Sequence, residues 1–173
     1  VSPDELNGDL LLMESRNSVR NITAHLLEKG CTLPGFMGDI GYAQSNRERY
    51  EGFCQALMDA GKTPNPSLCL TTPLGIDSYR EEIDSFLSSL SRMPDAFVCA
   101  SDYVACILMQ LLEKRGLRVP EDVAVSGFDN NIEDLLAENL TTVQVFNEEL
   151  GSRLALQILY RIKYPHTPHE VTY

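Results

Sequence analysis

The chain contains no run of about 18 or more apolar residues, so no membrane-spanning helix is expected. It is also poor in positive charge, with 14 Lys and Arg against 25 Asp and Glu and a formal net charge of −11. An acidic surface repels phosphate backbones, which argues against direct nucleic-acid binding by these residues. The five cysteines are odd in number and include no C-x-x-C pair, so neither a disulfide framework nor a zinc ribbon is expected. Cysteines in apolar runs and on apolar helix faces read as buried, reduced thiols of a cytoplasmic protein. Catalytic signatures are missing as well: there is no G-x-S-x-G, no H-E-x-x-H and no Walker loop. His25, His166 and His169 are scattered, so no metal site and no cofactor is expected. The first residues, VSPDELNGDLLLMESRNS, are acidic and polar, unlike a signal peptide, and the missing initiator Met suits a fragment or a processed chain.

What is present is an alternation. At 173 residues the chain fits one ordinary domain or two small lobes. Short apolar stretches sit near 9–13, 33–38, 67–71, 95–100 and 123–128. They are continuous rather than alternating, as strands covered on both faces should be. Helical patterns separate them. Asn46–Ala60 sets Tyr50, Phe53, Cys54, Leu57 and Met58 on one stripe and stops at Gly61. Asp102–Arg115 does the same and stops at Gly116. Asn17–Lys29, stopped by Gly30, and Asp77–Leu90 are weaker versions. The order predicts an α/β fold: a mostly parallel, doubly wound sheet of about five strands with helices on both faces. Gly35, Gly38 and Gly41 follow a strand without a phosphate-binding Lys, and predict a tight strand-to-helix turn.

The end of the chain fits this scheme poorly. Asn147 is a candidate cap for a helix running to about Lys163, whose Leu150, Leu154, Ala155, Ile158, Leu159 and Ile162 form a wide apolar stripe. Such a stripe needs a surface to cover, and no segment of the chain is evidently that surface. The tail PHTPHEVTY reads as closing no element.

The chemistry gathers at the ends of the strands. Open α/β sheets bind ligands at the carboxyl edge. Thr71 and Thr72 end one strand, Ser101 and Asp102 a second, and Asp129 a third, while Arg49 lies early in the helix after the Gly35–Gly38 turn. A guanidinium fork and a carboxylate facing one cleft suit a polyhydroxyl or heterocyclic ligand. Each residue also has a plainer reading. Asp102, Asp129 and Ser101 can cap helices, and Arg49 can pair with Glu48, Glu51 or Asp39 on the surface.

The run PDAFVCASDYVACILMQLLEKRGLRVPEDVAVSGFDN, followed by LTTVQVFNEELG, resembles the effector-binding core of the LacI/GalR family of bacterial transcription regulators. So does AHLLEKGCTLPGFMGDIGYAQSNRERYEGFCQALMDAG upstream, in the same order and spacing. The resemblance implies a lobe like those of periplasmic sugar-binding proteins, not an enzyme. Residues 1–146 would form the C-terminal lobe, and residues 147–173 a crossover helix and tail that packs on an N-terminal lobe absent from this chain. It implies a cytoplasmic protein that senses a sugar or related polar effector and dimerises through this lobe. Such a protein touches DNA only through an N-terminal helix-turn-helix, also absent here. Arg49 matches the arginine of the R-x-x-G-F motif and Asp129 the aspartate of the G-[YF]-D motif, both effector contacts. Ser101 is a third contact, where members often have Asn. On this reading Asp129 is a ligand contact and Asp102 a cap. Met13-Glu14 stands where Asp-Asn is common, Cys31 replaces a usual His, and the ring-stacking aromatic falls near Pro73 or Leu74. A periplasmic sugar-binding protein of the same architecture is the alternative.

Overall fold

A computed structural model of the chain describes residues 8–75, 77–131 and 140–172. The chain divides into two compact units, Ser15–Gln144 and the pair of segments Val1–Glu14 with Val145–Tyr173.

The larger unit is a parallel α/β layer structure. Strands β2 (Pro34–Met37), β3 (Cys69–Leu70), β4 (Ala96–Cys99) and β5 (Ala124–Ser126) form one sheet in the order β3-β2-β4-β5. Every pairing in it is parallel. Helices α1 (Arg16–Glu28), α2 (Gln44–Asp59), α3 (Tyr79–Ser89) and α4 (Asp102–Lys114) connect the strands. The apolar runs become strands because both faces are covered, and period-two alternation sends neighbours to opposite layers. On β2, Phe36 packs its ring against Tyr50 and Phe53 of α2, with centroids 5.1 and 5.6 Å apart. The next residue, Met37, joins Phe97, Cys99 and Val125 in the core on the other side, closed by Ile83 and Leu87 of α3 and by α4. This is the expected doubly wound architecture.

The glycines that end α1, α2 and α4 behave as expected. Gly30, Gly61 and Gly116 carry φ of +101°, +69° and +75°, the left-handed conformation that closes a helix cheaply only in glycine. The expected strand-to-helix turn lies at Ile40–Tyr42. Gly35 and Gly38, neither with positive φ, serve close approach in addition: a Cβ on Gly35 would lie 2.4 Å from the Leu68 carbonyl, and one on Gly38 2.2 Å from the Ala100 Cβ. Gly52 serves the same end between helices, its missing Cβ falling 2.1 Å from the Arg16 carbonyl of α1.

Two other expectations are corrected. The apolar stretch near 9–13 does not enter the main sheet. Its β1 (Leu10–Leu11) pairs in parallel with β6 (Val171–Thr172), so the tail does close an element. A two-residue apolar pair carries no signal of which partner it takes. Beside β5, the outer position is filled by the segment Thr141–Gln144, bridged at Ser126–Thr141 and Asp129–Gln144. Its carbonyls accept from the main chain of Gly127 (from Thr141, 2.9 Å) and Asp129 (from Val143, 3.0 Å).

In the smaller unit, α5 spans Asn147–Lys163, the bounds expected. Asn147 is its first helical residue and not its cap; Phe146 holds that position without a side-chain bond. None of its residues is buried, and Leu156, Ile158, Leu159 and Ile162 are exposed. Arg161 ties the unit together by a fork to the Asp9 carboxylate, which holds that carboxyl well below the usual range. Arg161 also donates to the Thr167 carbonyl (2.5 Å) and hydroxyl (2.8 Å) and to the Pro168 carbonyl (3.1 Å).

Candidate functional site

The strand order places a topological switch between β2 and β4. Chain leaving β2 crosses by α2 to β3 on one side, and chain leaving β3 crosses by α3 to β4 on the other. The connections that leave β2 and β4 there run to opposite faces of the sheet, α2 to one and α4 to the other, the arrangement at which open α/β sheets take a ligand.

Arg49 stands at this point. It is buried, 4% exposed, although arginine is almost never so unless paired. Its helix dictates this. The buried positions of α2 are Arg49, Gly52, Phe53, Ala56 and Leu57, spaced 0, 3, 4, 7 and 8. The apolar stripe is thus rotated by about one residue from that expected, with Met58 outside, and Arg49 occupies its first position. The guanidinium donates from Nη1 to the Ala100 carbonyl at the end of β4. Its Cζ lies over the Phe128 ring, 3.6 Å from the centroid. Its Nη2 is 3.5 Å from Asp129 Oδ1. Its Nε is buried without a partner among the described residues. The surface partners Glu48, Glu51 and Asp39 considered for it are not its contacts; Glu51 pairs with Arg16, and Asp39 accepts from the amides of Gly41 (2.7 Å) and Tyr42 (3.1 Å).

Asp129 follows β5 by three residues and takes φ +109°, with Asn130 at +49°. Non-glycine residues seldom adopt such conformations, which concentrate at functional sites. Burial pushes the Asp129 carboxyl above its ordinary pKa; Arg49 opposes the shift and Asp102 adds to it. Burial likewise lowers the Arg49 guanidinium, against the attraction of Asp129 and Asp102. The helix expected after Asp129 falls on 132–139, outside the described residues, and with it the capping reading of Asp129.

Ser101 and Asp102 exchange the roles expected of Asp102. Ser101 is the N-cap of α4, its hydroxyl accepting from the Val104 amide at 3.3 Å. Asp102 is the first helical residue, 2% exposed. Its carboxylate accepts from the Thr142 hydroxyl at 2.6 Å, and its amide donates to the Phe128 carbonyl at 2.8 Å. Either residue type can cap, so sequence could not rank them. The link to Thr142, forty residues on, carried no local signal. Thr71 and Thr72 lie just past β3, Thr71 accepting at its carbonyl from the Ile40 amide (3.4 Å).

The site therefore brings Arg49 and Asp129 together, with Ser101 next to the Ala100 carbonyl that Arg49 uses. It offers the partly exposed Asp129 carboxylate as an acceptor for hydroxyl or ring N–H groups, backed by a buried guanidinium whose Nε has no partner among the described residues. Among the described residues no group of three His, Cys, Asp or Glu side chains is placed to hold a metal.

The chain matches the periplasmic binding protein-like domain family over residues 23–173. It is 30% identical over 166 residues to the HTH-type transcriptional repressor PurR of Aliivibrio salmonicida, covering 95% of this chain and 49% of that protein. To the HTH-type transcriptional regulator DegA of Bacillus subtilis it is 32% identical over 156 residues, 88% of this chain and 45% of the relative. The chain thus spans about half the length of the curated relatives it matches. Among solved structures, a complex of the transcriptional regulator CelR with cellobiose superposes with a TM-score of 0.82 at 26% identity, covering 95% of this chain and 51% of that one. A LacI family regulator from Enterococcus faecium with bound ribose gives 0.78 at 25%, covering 95% and 60%.

Proposed function

Because this chain belongs to the periplasmic binding protein-like family, in the form carried by LacI-type regulators, we propose that it forms one wall of the cleft in which such a regulator holds its effector. The effector is a sugar or related polar ligand, bound at the carboxyl edge by Arg49 and Asp129 with Ser101 beside them. The observation that carries this reading is Arg49 itself. A buried guanidinium with a free Nε, facing a half-buried carboxylate, is costly to maintain for packing alone. The cellobiose and ribose bound in two structural neighbours agree with a polyhydroxyl ligand.

The mechanism is binding without turnover. An effector closing the cleft shifts a two-state equilibrium, and the shift is read elsewhere in the protein. The complete regulator is cytoplasmic, pairs as a homodimer through this lobe, and contacts DNA through a helix-turn-helix outside this chain. The unburied face of α5, with the tail from 147 to 173, packs on a second lobe that supplies the other wall. A periplasmic sugar-binding protein would share the cleft but not the regulatory relatives.

A thermal-shift panel of sugars, phosphosugars and purines on the complete two-lobed protein tests this. Free ligand at 100 times Kd stabilises by about 2.7 kcal/mol, so even a weak effector registers. The shift of the active compound should fall by about half or more in both Arg49→Lys and Asp129→Asn. A full shift in both variants would remove the site from the reading.

A further inference from the structure

Asp129 sits beyond the last residue of β5 in a backbone conformation unfavourable to it, so something outside its own strand must hold it there. The Thr141–Gln144 segment does so. Its Val143 carbonyl accepts from the Asp129 amide, Gln144 bridges Asp129, and the Gln144 side chain accepts from the Asn130 amide group. A side-chain bond ties this strap to the start of α4: the Thr142 hydroxyl to Asp102. The end of β5 is shaped around the same carboxylate, for a Cβ on Gly127 would lie 2.2 Å from Asp102 Oδ1. Capping does not account for Asp102, since Ser101 supplies the cap. Nor need a ligand account for it, since its carboxylate already accepts from the Thr142 hydroxyl at 2.6 Å.

We infer that Asp102 is a positioning residue: through Thr142 it fixes the Thr141–Gln144 strap, and the strap holds Asp129 at the cleft. The purpose of that placement rests on the effector reading above; the placement itself needs no ligand to be tested. The strap is also the stretch by which the chain leaves the larger unit. A carboxylate beside the cleft therefore governs where that connection is anchored.

The experiment is amide hydrogen exchange and carboxyl-carbon NMR titration on the full chain, for wild type, Thr142→Val, Thr142→Ser and Asp102→Asn. A hydrogen bond to a charged group is among the stronger ones, and local opening reports its loss. In Thr142→Val the Gly127 and Asp129 amides should exchange about 10-fold faster or more, while those of α1 and α2 stay unchanged. The Asp129 carboxyl should fall toward the range of a free aspartate as its burial is relaxed. Thr142→Ser should match wild type. Asp102→Asn, which keeps an acceptor oxygen, should accelerate the same two amides by a smaller factor. Unchanged exchange at Gly127 and Asp129 in Thr142→Val would overturn the inference. So would uniform acceleration or failure to fold, which would make the bond a general support, or a Thr142→Ser as defective as Thr142→Val. Because no ligand enters, a silent effector panel leaves these outcomes readable.

Discussion

The two ends of the central sheet use the same residue types to opposite effect. At the amino edge, Asp95 precedes β4 and accepts from the Thr32 amide (2.6 Å), the Thr32 hydroxyl (2.8 Å) and the Leu33 amide (2.9 Å). Asp122 precedes β5 and receives a fork from Arg118 at 2.9 and 2.8 Å. These carboxylates are satisfied. Burial pushes Asp95 up, but its three donors outweigh it and leave it below its ordinary value. Arg118 holds Asp122 down at about 2. At the carboxyl edge, Asp129 has its guanidinium only at 3.5 Å, is pushed up by burial, and faces an Arg49 whose Nε has no partner among the described residues. Charge alone does not mark a site. What separates the ends is whether polar groups already have their partners, and the unsatisfied end is the one that gains from a ligand.

The largest effect separating the ends should come from removing each arginine. Arg49→Ala leaves the Ala100 carbonyl and the Asp129 carboxylate unpartnered and should cost about 3 kcal/mol in urea unfolding. Arg118→Ala, on the surface, should change the midpoint far less. Equal losses would erase the distinction. Next comes the cap: Ser101→Ala should cost about 1 kcal/mol. If its hydroxyl also meets the effector, ligand affinity should fall beyond what the lost stability explains.

The smallest effect is in pH dependence, and its sign differs between the ends. Asp129 has a folded pKa above its unfolded value of about 3.9. Its contribution is present below that value and is lost as pH rises through the folded pKa. Asp129→Asn should therefore gain on wild type as pH climbs above about 4. Asp122 has a folded pKa of about 2. Its contribution is present above about 3.9 and is lost as pH falls through the folded value. Asp122→Asn should therefore lose ground to wild type across that rise. Urea titrations from pH 2 to 6 read both trends, and parallel trends would contradict the contrast.

Sequence made much of this fold legible, because buried parallel strands write themselves as continuous apolar runs and their helices end at glycine. It could not assign Leu10–Leu11 to a sheet, since pairing partners 161 residues apart leave no local trace. It set α5 apart from α4 as a helix without an evident partner in the chain, but could not say what covers it. Both carry an apolar stripe, yet α4 is largely buried and α5 not at all. Amphipathicity states that a helix needs a partner, not where the partner lies. At the site, Arg49 and Asp129 stood out as a guanidinium and a carboxylate at strand ends. The burial of Arg49 was also readable, from an arginine three and four residues before Gly52 and Phe53 on one helix face. The Ser101 cap was among the readings the sequence allowed; the bond of Asp102 was not, because it depends on Thr142 arriving from a distant segment.

The central question is which edge of the sheet meets the effector. Calorimetric titration of the complete two-lobed protein with the compound found active in the thermal panel decides it, using Arg49→Lys and Asp129→Asn against Lys29→Ala in the amino-edge groove. The two carboxyl-edge variants should bind at least about 10-fold more weakly, the loss of one charge-assisted hydrogen bond, and Lys29→Ala should bind as wild type. Full affinity in both carboxyl-edge variants, with a loss in Lys29→Ala, would place the ligand at the other end.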